Sequence, residues 1–590
     1  MSNVDCILSN IRCPSSPSSS SVGFPITIMA IDIPGPLTRL LEGGTVSQIL
    51  EGLSLRIDDG QNLPFLALTS IIAIFTTSTI VKLFRGLARV GYVDGYRRPF
   101  FPYSIPGLLF PSSFLNPGYV FLWRWRYHNY KRFKSEIFSY IGWLGGNAVI
   151  FTSNLDILRQ VAGGARSDFV KPMSASRGLM QWGMNVAAAE GGDEWRKHRR
   201  VLGPSFSTNL YRLVWSKTAA TYREMSSVEG WDGQKVVEIN SVQKYIFKMA
   251  LVIMGACGFG LNLSWTDQPV SADGKVSMQE ALKLINDRQI VLQLPKWIQN
   301  LPFKYFNEYR EAKIKFTEWM TEQVALRKDF VRNSVVGDDA SGPRLPDDCF
   351  TLLVKANEDE GQKFRLSDQE LIGNVFVLLF AGHETSAHTF AATFAHLALY
   401  PEIQEEVLEQ ILSVVGWDRD PEFEDYNSLN KVLAVFYEAL RLFPAGHVMF
   451  RQATKDTVLR VQNPPGEEGT YPLPLPKGSM VVVDMVGVQY NERYFDEPEK
   501  YKPSRWYNIP NDSEAFTAFS LGPRACIGRK FATVEAVSFL SLFLRDWKIE
   551  PLLNPGETVE QWKARIVDAQ LFVTLGIKNV PIRLVKRERP

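Results

Sequence analysis

Cysteine is scarce in this chain of 590 residues: five in all, at positions 6, 13, 257, 349 and 526, with no C-x-x-C pair among them. An odd, scattered set excludes a disulfide scaffold and a cysteine-rich zinc module. Histidine is nearly as rare, six in all, and no H-E-x-x-H motif occurs, so that class of zinc hydrolase is excluded too. The G-x-G-x-x-G fingerprint of a dinucleotide-binding domain is missing as well. Basic and acidic residues nearly cancel, 65 against 63, for a formal net charge of +2. That leaves no excess charge for binding nucleic acid by bulk phosphate neutralisation. With 45% hydrophobic and 22% charged residues, wholesale disorder is excluded. What remains is a large globular protein, an enzyme by its size, in a reducing compartment. At about 150 residues per domain the length alone suggests about four domains.

Long hydrophobic runs are absent with one exception. Residues 14–21 read PSSPSSSS, which cannot join a core, and residues 1–62 are expected to be a disordered tail. From Leu63 to Val81 there are nineteen consecutive uncharged residues, LPFLALTSIIAIFTTSTIV. That approaches the roughly 20 residues needed to cross a hydrocarbon core of about 30 Å. Its hydroxyls are tolerated, because a helix lets them bond back to its own carbonyls. The flanks set the orientation. Residues 1–62 carry Arg12, Arg39 and Arg56 against six acidic residues, whereas residues 82–100 carry Lys82, Arg85, Arg89, Arg97 and Arg98 against Asp94 alone. The positive-inside rule therefore puts the tail in the lumen and everything after residue 82 in the cytosol. A cleaved signal peptide does not fit a run that begins this far into the chain. Prolines 99, 102, 106 and 111 follow, so residues 82–114 are expected to form a basic, Pro-rich, irregular linker. Residues 115–590 show no second linker and read as one catalytic domain, with the polar stretch 331–348 as a surface loop.

Residues 519–528 read FSLGPRACIG and run into RKFATVEAVSFLSLFL, an apolar helical segment. A cysteine just ahead of a helix meets backbone N–H donors and the positive end of the helix dipole, which favour its thiolate. The pattern resembles the haem-binding loop of the cytochrome P-450 family, F-x-x-G-x-R-x-C-x-G, at all five fixed positions: Phe519, Gly522, Arg524, Cys526 and Gly528. With this composition a chance match is on the order of 10⁻⁴. The resemblance implies haem b as cofactor, with Cys526 as the axial thiolate that pushes electron density into the iron. It implies that Phe519 packs beside the sulfur and that Arg524 pairs with a haem propionate. Gly522 and Gly528 would give turn geometry and let the backbone approach the porphyrin.

Three further motifs stand in the family's order. YEALRLFP at 437–444 puts Glu438 and Arg441 three residues apart, on one helix face. With Arg505 of YKPSRW they match the family's structural triad, which scaffolds the haem loop; Ser504 stands where the family usually has glutamate. Upstream, FRLSDQELIGNVFVLLFAGHETSAHTFAATFAHLALYP reads as one long helix opened by a Ser367–Glu370 capping box. Its centre resembles the family's oxygen-activation motif. By that likeness Gly382 lets the helix distort, while Thr385 and Glu384 are catalytic: Thr385 faces bound dioxygen and Glu384 relays protons from solvent. In an anonymous helix such a threonine would simply bond its i−4 carbonyl. His383 and His388 read as ordinary helix residues rather than iron ligands. GGDEWRKHRRVLGPSF at 191–206 resembles the family's W-x-x-x-R helix, with Trp195 and Arg199 as donors to a propionate and Arg196, Lys197 and Arg200 pointing elsewhere. The family often supplies another propionate donor after Pro444, and the spacing leaves both His447 and Arg451 open.

By resemblance, residues 115–590 form the cytochrome P-450 fold, mainly α with a smaller β-rich lobe, one large domain behind an N-terminal transmembrane helix. The implied activity is a haem-thiolate monooxygenase that inserts one oxygen atom of O₂ into a lipophilic substrate: a terpenoid, steroid, fatty acyl chain, aromatic or xenobiotic. The segments that would line its pocket, near 165–190, 285–305, 445–450 and 566–572, are mostly apolar. No flavin-sized segment is appended, so electrons must come from a partner. The resemblance implies NADPH-cytochrome P-450 reductase in the same endoplasmic reticulum membrane, with Arg529 and Lys530 either steering it or forming a solvated face. The overall likeness is to filamentous-fungal members, which often serve secondary metabolism or detoxification. Two other classes compete: a haem-thiolate isomerase or dehydratase working without O₂, and a non-catalytic haem or sterol binder. Neither needs the Glu384–Thr385 pair. Sequons at Asn262 and Asn511 are expected to stay unglycosylated, being cytosolic.

Overall fold

The computed structural model describes residues 63–589, apart from 163–167, 267–276, 289–290, 292–293, 335–347, 360, 362, 465, 511–515 and 572–573. The tail 1–62, the sequon at Asn511 and most of the polar stretch 331–348 lie outside the described residues. Residues 331–334 of that stretch are not loop but the last turn of the helix Lys304–Ser334. Among the described residues the protein is mainly helical with a smaller sheet region, as the resemblance implies.

The chain divides after Thr77 into two units, and of the first only the start of helix α1 (Leu63–Arg89) is described. This helix is long and apolar enough to cross a membrane, and its most apolar stretch buries nothing against protein. It runs past Val81 because KLFRGLAR holds no proline and a single glycine. It ends where Gly91 and Tyr92 both take positive φ, 62° and 56°. A second helix, Val242–Phe259, passes the same length and polarity test, but 67% of its apolar window is buried in the body, so it is a core helix.

The stretch expected as an irregular linker is largely structured. Gly95–Phe100 forms β1, which runs parallel to β2 (Ile137–Gly145), with Tyr96 and Phe101 buried. Its prolines sit where regular structure admits them: Pro99 at the register shift between Arg98 and Phe100, and Pro106 in the first turn of the helix Ile105–Leu109. Strands β3 (Ala148–Thr152), β4 (Phe169–Val170), β6 (Val448–Ala453) and β9 (Met480–Asp484) complete a six-stranded sheet. Its order is β1-β2-β3-β9-β6-β4. The hairpin of β7 (Thr457–Gln462) and β8 (Thr470–Leu475) stands apart from it. A three-stranded sheet joins β10 (Trp547–Pro551), β13 (Ile582–Lys586) and β5 (Val236–Ile239), and β11 (Ala569–Leu571) pairs with β12 (Leu575–Ile577).

Five helices position the site: α2 (Gly192–Leu202), α3 (Val242–Phe259), α4 (Asp368–Leu399), α5 (Asn430–Leu442) and α6 (Arg529–Asp546). α4 is apolar nearly all round and packs on α3, α5 and α6, which is how a helix without a polar face is accommodated. The Ser367 hydroxyl accepts from the Glu370 N–H while the Glu370 carboxylate accepts from the Ser367 N–H, so the expected capping box starts α4. α5 stops at Phe443, which is driven out of helical geometry by the following Pro444.

Candidate active site

The turn that carries Cys526 is bent to present it. Ser520 and Gly522 both take positive φ, 65° and 70°, so glycine at 522 is required by conformation. Gly528 is not: its φ is −84°, and a Cβ there would stand 3.9 Å from the Cys526 sulfur. Its smallness keeps the space beside the sulfur open. The Cys526 N–H donates to the Phe519 carbonyl at 2.9 Å and closes the turn. Burial pushes the Cys526 thiol up, opposed by the Gly528 and Arg529 N–H groups and by the charges of Arg199 and Arg529. The side chain is nonetheless solvent-accessible.

The expected triad is assembled behind this turn. Fully buried Glu438 and Arg441 on α5 form a two-pronged pair, 3.0 Å at Nε and 2.8 Å at Nη2, and Arg505 Nε joins at 3.3 Å. Two donors escaped the sequence reading: the Trp506 indole N–H at 2.8 Å and the Lys502 backbone N–H at 3.0 Å also reach Glu438. A buried carboxylate so surrounded is fully satisfied, which is what makes a buried ion pair tolerable. Asp496 gives Arg505 a second carboxylate. Rings then link triad to loop: Trp506 on Phe516 (4.9 Å), Phe516 stacked on Tyr437 (4.0 Å) and Phe516 against Phe519 (5.8 Å).

A cluster of cations lies beside the loop. Arg524 donates to the carbonyls of Ala189 (2.9 Å) and Glu190 (2.6 Å), with its guanidinium 5.0 Å over the Trp195 ring. β4 pairs Val170 with Gln452 on β6, and that register continued by one step sets Lys171 beside Arg451. Lys171 donates to the Ala187 carbonyl (2.7 Å) and Arg451 to that of Phe450 (2.8 Å). Burial, then the charges of Arg451 and Arg524, lowers Lys171 to about 8. Burial lowers Arg451 to about 10, and burial with the Arg451 charge lowers Arg524 to about 10. Among the described residues each of these three cations has only backbone carbonyls as hydrogen-bond acceptors, and the charge of Arg451 acts on both Lys171 and Arg524. Such a cluster calls for an anion.

Trp195 and Arg199 share one face of α2, as expected. Neither finds a hydrogen-bond partner among the described residues, and Arg199 acts through its charge on Cys526. Of the two residues left open after Pro444, Arg451 belongs to the cation cluster. His447 does not: it is buried with its ring 6.1 Å from Tyr103 and 6.3 Å from Tyr119, and burial holds it neutral, at about 4. The remaining basic residues of α2 are engaged, Arg196 with Asp193 (2.7 Å), Lys197 with Glu370 and Arg200 over Phe364 (5.3 Å).

α4 is unbroken, so Gly382 does not distort it. Glycine fits there for another reason, because a Cβ would overlap the terminal methyl of Met254 on α3, a flexible tip that would have to move. In a helix that is otherwise almost wholly buried, Ala381 is exposed and Gly382 and Thr385 partly so, which marks one turn fronting a space. The Thr385 hydroxyl donates to the Ala381 carbonyl at 2.7 Å, and Thr389 and Thr393 repeat that back-bond at 2.8 Å each. Glu384 does not reach solvent directly. It is buried, accepts from the Thr574 hydroxyl at 2.5 Å, and lies 3.6 Å from His388 Nε2. His383 bonds the Phe247 carbonyl on α3 (3.1 Å), and burial keeps it neutral, at about 4.

The cytochrome P-450 family model matches residues 123–570 of this chain. Among its relatives, cytochrome P-450 monooxygenase 124 of Postia placenta is 32% identical over 510 residues, covering 85% of this chain and 95% of the relative. The chain belongs to the cytochrome P-450 family. Cytochrome P-450 monooxygenase prx9 of Penicillium rubens is 27% identical over 484 residues, 74% of this chain and 80% of the relative. Human cytochrome P-450 4F11 is 26% identical over 433 residues, 69% and 77% respectively. This cytochrome P-450 is an oxidoreductase, a haem-thiolate monooxygenase, and Cys526 supplies the thiolate to its haem. Its own residues fit that cofactor. The open thiol of Cys526 would hold the iron, and the Lys171–Arg451–Arg524 cluster would offer cations to the propionates. Ala381 and Gly382 leave room on the accessible turn of α4.

Lys171 and Thr574 went unrecognised in the sequence. Each meets its partners only through strand pairing or a hairpin turn between distant segments, and neither sits in a motif. Arg529 and Lys530, considered for steering a reductase, are drawn onto rings, Arg529 over Phe519 (5.8 Å) and Lys530 over Tyr426 (3.6 Å).

Proposed function

We propose that this cytochrome P-450 inserts one oxygen atom from O₂ into a lipophilic organic substrate, in secondary metabolism or detoxification. Electrons come from NADPH-cytochrome P-450 reductase in the endoplasmic reticulum membrane. Residues 63–81 span the bilayer, with 1–62 lumenal and the catalytic domain, 115–590, cytosolic. The observation that carries the reading is the accessible turn of Ala381, Gly382 and Thr385 on an otherwise almost wholly buried helix, a turn where no accessible side chain is charged. An uncharged lining of this kind suits a substrate that partitions into lipid.

Bound haem supplies the activation of dioxygen, and the protein's residues hold it and manage protons. Cys526 ligates the iron, with Phe519, Gly522 and Gly528 shaping its turn. Trp195, Arg199 and Arg524 anchor the propionates, joined by Lys171 and Arg451. Glu438, Arg441 and Arg505 keep the loop in place. Thr385 rotates its hydroxyl away from the Ala381 carbonyl toward the open face and offers a proton there. Glu384 resupplies it, with Thr574 and His388 as the groups through which its proton is renewed.

The test is co-expression with the reductase and a panel of lipophilic compounds, with products identified by mass spectrometry. Oxygenated product that requires both NADPH and reductase is expected; product formed from a peroxide substrate without either would contradict it. Thr385→Ala should raise hydrogen peroxide release relative to product by roughly ten-fold or more. Unchanged coupling would remove Thr385 from the proton route.

A further inference from the structure

The C-terminal end of α1 borders a groove of about 600 Å³ that plays no part in the site above. Lys82, Arg85 and Arg89 line it from the helix, Lys477 from the turn before β9, and Ile141 and Leu144 supply apolar wall from β2. All four cations are exposed, and none is in an ion pair among the described residues. The convergence depends on close packing. A Cβ at Gly86 would stand 3.0 Å from the Ile141 side chain, so glycine lets the helix lie down on the β2–β3 hairpin. Leu83 and Leu87 pack into the same small core on the turns around it.

We propose that this groove binds the phosphate-bearing headgroup of an anionic phospholipid. Four unpaired cations around one concavity are complementary to a phosphomonoester, and the apolar wall matches the glycerol and first acyl carbons attached to it. Depth agrees, because the first of these cations, Lys82, directly follows the uncharged run that ends at Val81. A headgroup of the leaflet the helix leaves is therefore within reach. Membrane topology alone accounts for cations at 82, 85 and 89. It does not account for Lys477, which comes from nearly four hundred residues away and completes the ring. A soluble phosphate compound shares the headgroup's chemistry but has no use for the apolar wall.

The inference rests on α1 being the anchor. The test uses the full-length protein in nanodiscs of phosphatidylcholine containing a minor share of phosphatidic acid, with co-purifying lipid quantified by mass spectrometry after washing. Wild type should retain phosphatidic acid well above its share of the bilayer. Lys477→Gln should lower that enrichment about five-fold, and Lys235→Gln, an exposed cation elsewhere, should not. Equal retention of the two lipids, or an unaffected Lys477→Gln, would overturn the proposal. Displacement of the lipid by inorganic phosphate at comparable concentration would assign the groove to a soluble ligand and overturn it as well. A failed anchor is distinguishable, since the protein would then not enter the nanodisc at all.

Discussion

Lys171, Arg451 and Arg524 bring like charges to a place from which water is mostly excluded, and the protein holds them there for a partner it does not itself supply. Lys171→Met should therefore act in opposite directions on the two forms of the protein. The haem-free form should gain about 1–2 kcal/mol in denaturant unfolding, because a half-buried repulsive charge is removed. The haem-loaded form should release its cofactor at lower denaturant concentration. Loss of stability in both would contradict the cluster's role. Glu535 on α6 is a second residue kept against its preference: burial pushes it up to about 8, against a donated Ser386 hydroxyl. A carboxyl raised in the native state binds a proton that the unfolded chain has lost, so the stability Glu535 contributes should fall as pH rises from about 5 to about 8 and then level. Glu535→Gln should remove most of that slope and add on the order of 2–4 kcal/mol at pH 8.5. Asp484, which burial holds up at about 7, adds a fall of the same sign, while His383, His396 and His447, held neutral at about 4, add an opposing rise up to about pH 6.5. A pH–melting profile identical to wild type would refute this.

At the scale of elements, α4 was the most legible part of the sequence and also the most misleading. Ser367 and Glu370 announced its start, because a capping box is a local contact between residues three apart. Glu438 and Arg441 were legible for the same reason, both partners lying on one turn of α5. The reason for Gly382 was not, because it lies across the helix interface in Met254, and nothing near Gly382 in sequence reports it. Thr574 and Lys171 were hidden likewise by contacts between segments far apart in the chain. The stretch after Val81 misled through its prolines, which signal irregular chain but here occupy a register shift and a helix first turn. Two glycines on α4 separate these effects. Gly382→Ala meets a flexible methionine tip and should cost about 1–2 kcal/mol, recovered in part by Met254→Ala. Gly373→Ala meets the Gly183 backbone carbonyl at 2.7 Å and should cost more, about 3 kcal/mol, with no side chain available to yield. Thermal denaturation of the three variants checks the order.

For the whole molecule, the expectation of about four domains gives way to one large body, Ser78–Pro590, in which motifs hundreds of residues apart converge. That body includes the C-terminal part of α1, from Ser78 to Arg89. Under the proposed topology exposed Asn262 stays unmodified in a eukaryotic host, and a glycan there would reverse the orientation. The claim on which everything else depends is that Cys526 is the haem ligand. The ferrous–carbon monoxide spectrum of wild type and Cys526→Ala tests it most directly. Wild type should show the red-shifted Soret band of thiolate-ligated haem and the variant should lose it; a variant that keeps that band would contradict the account.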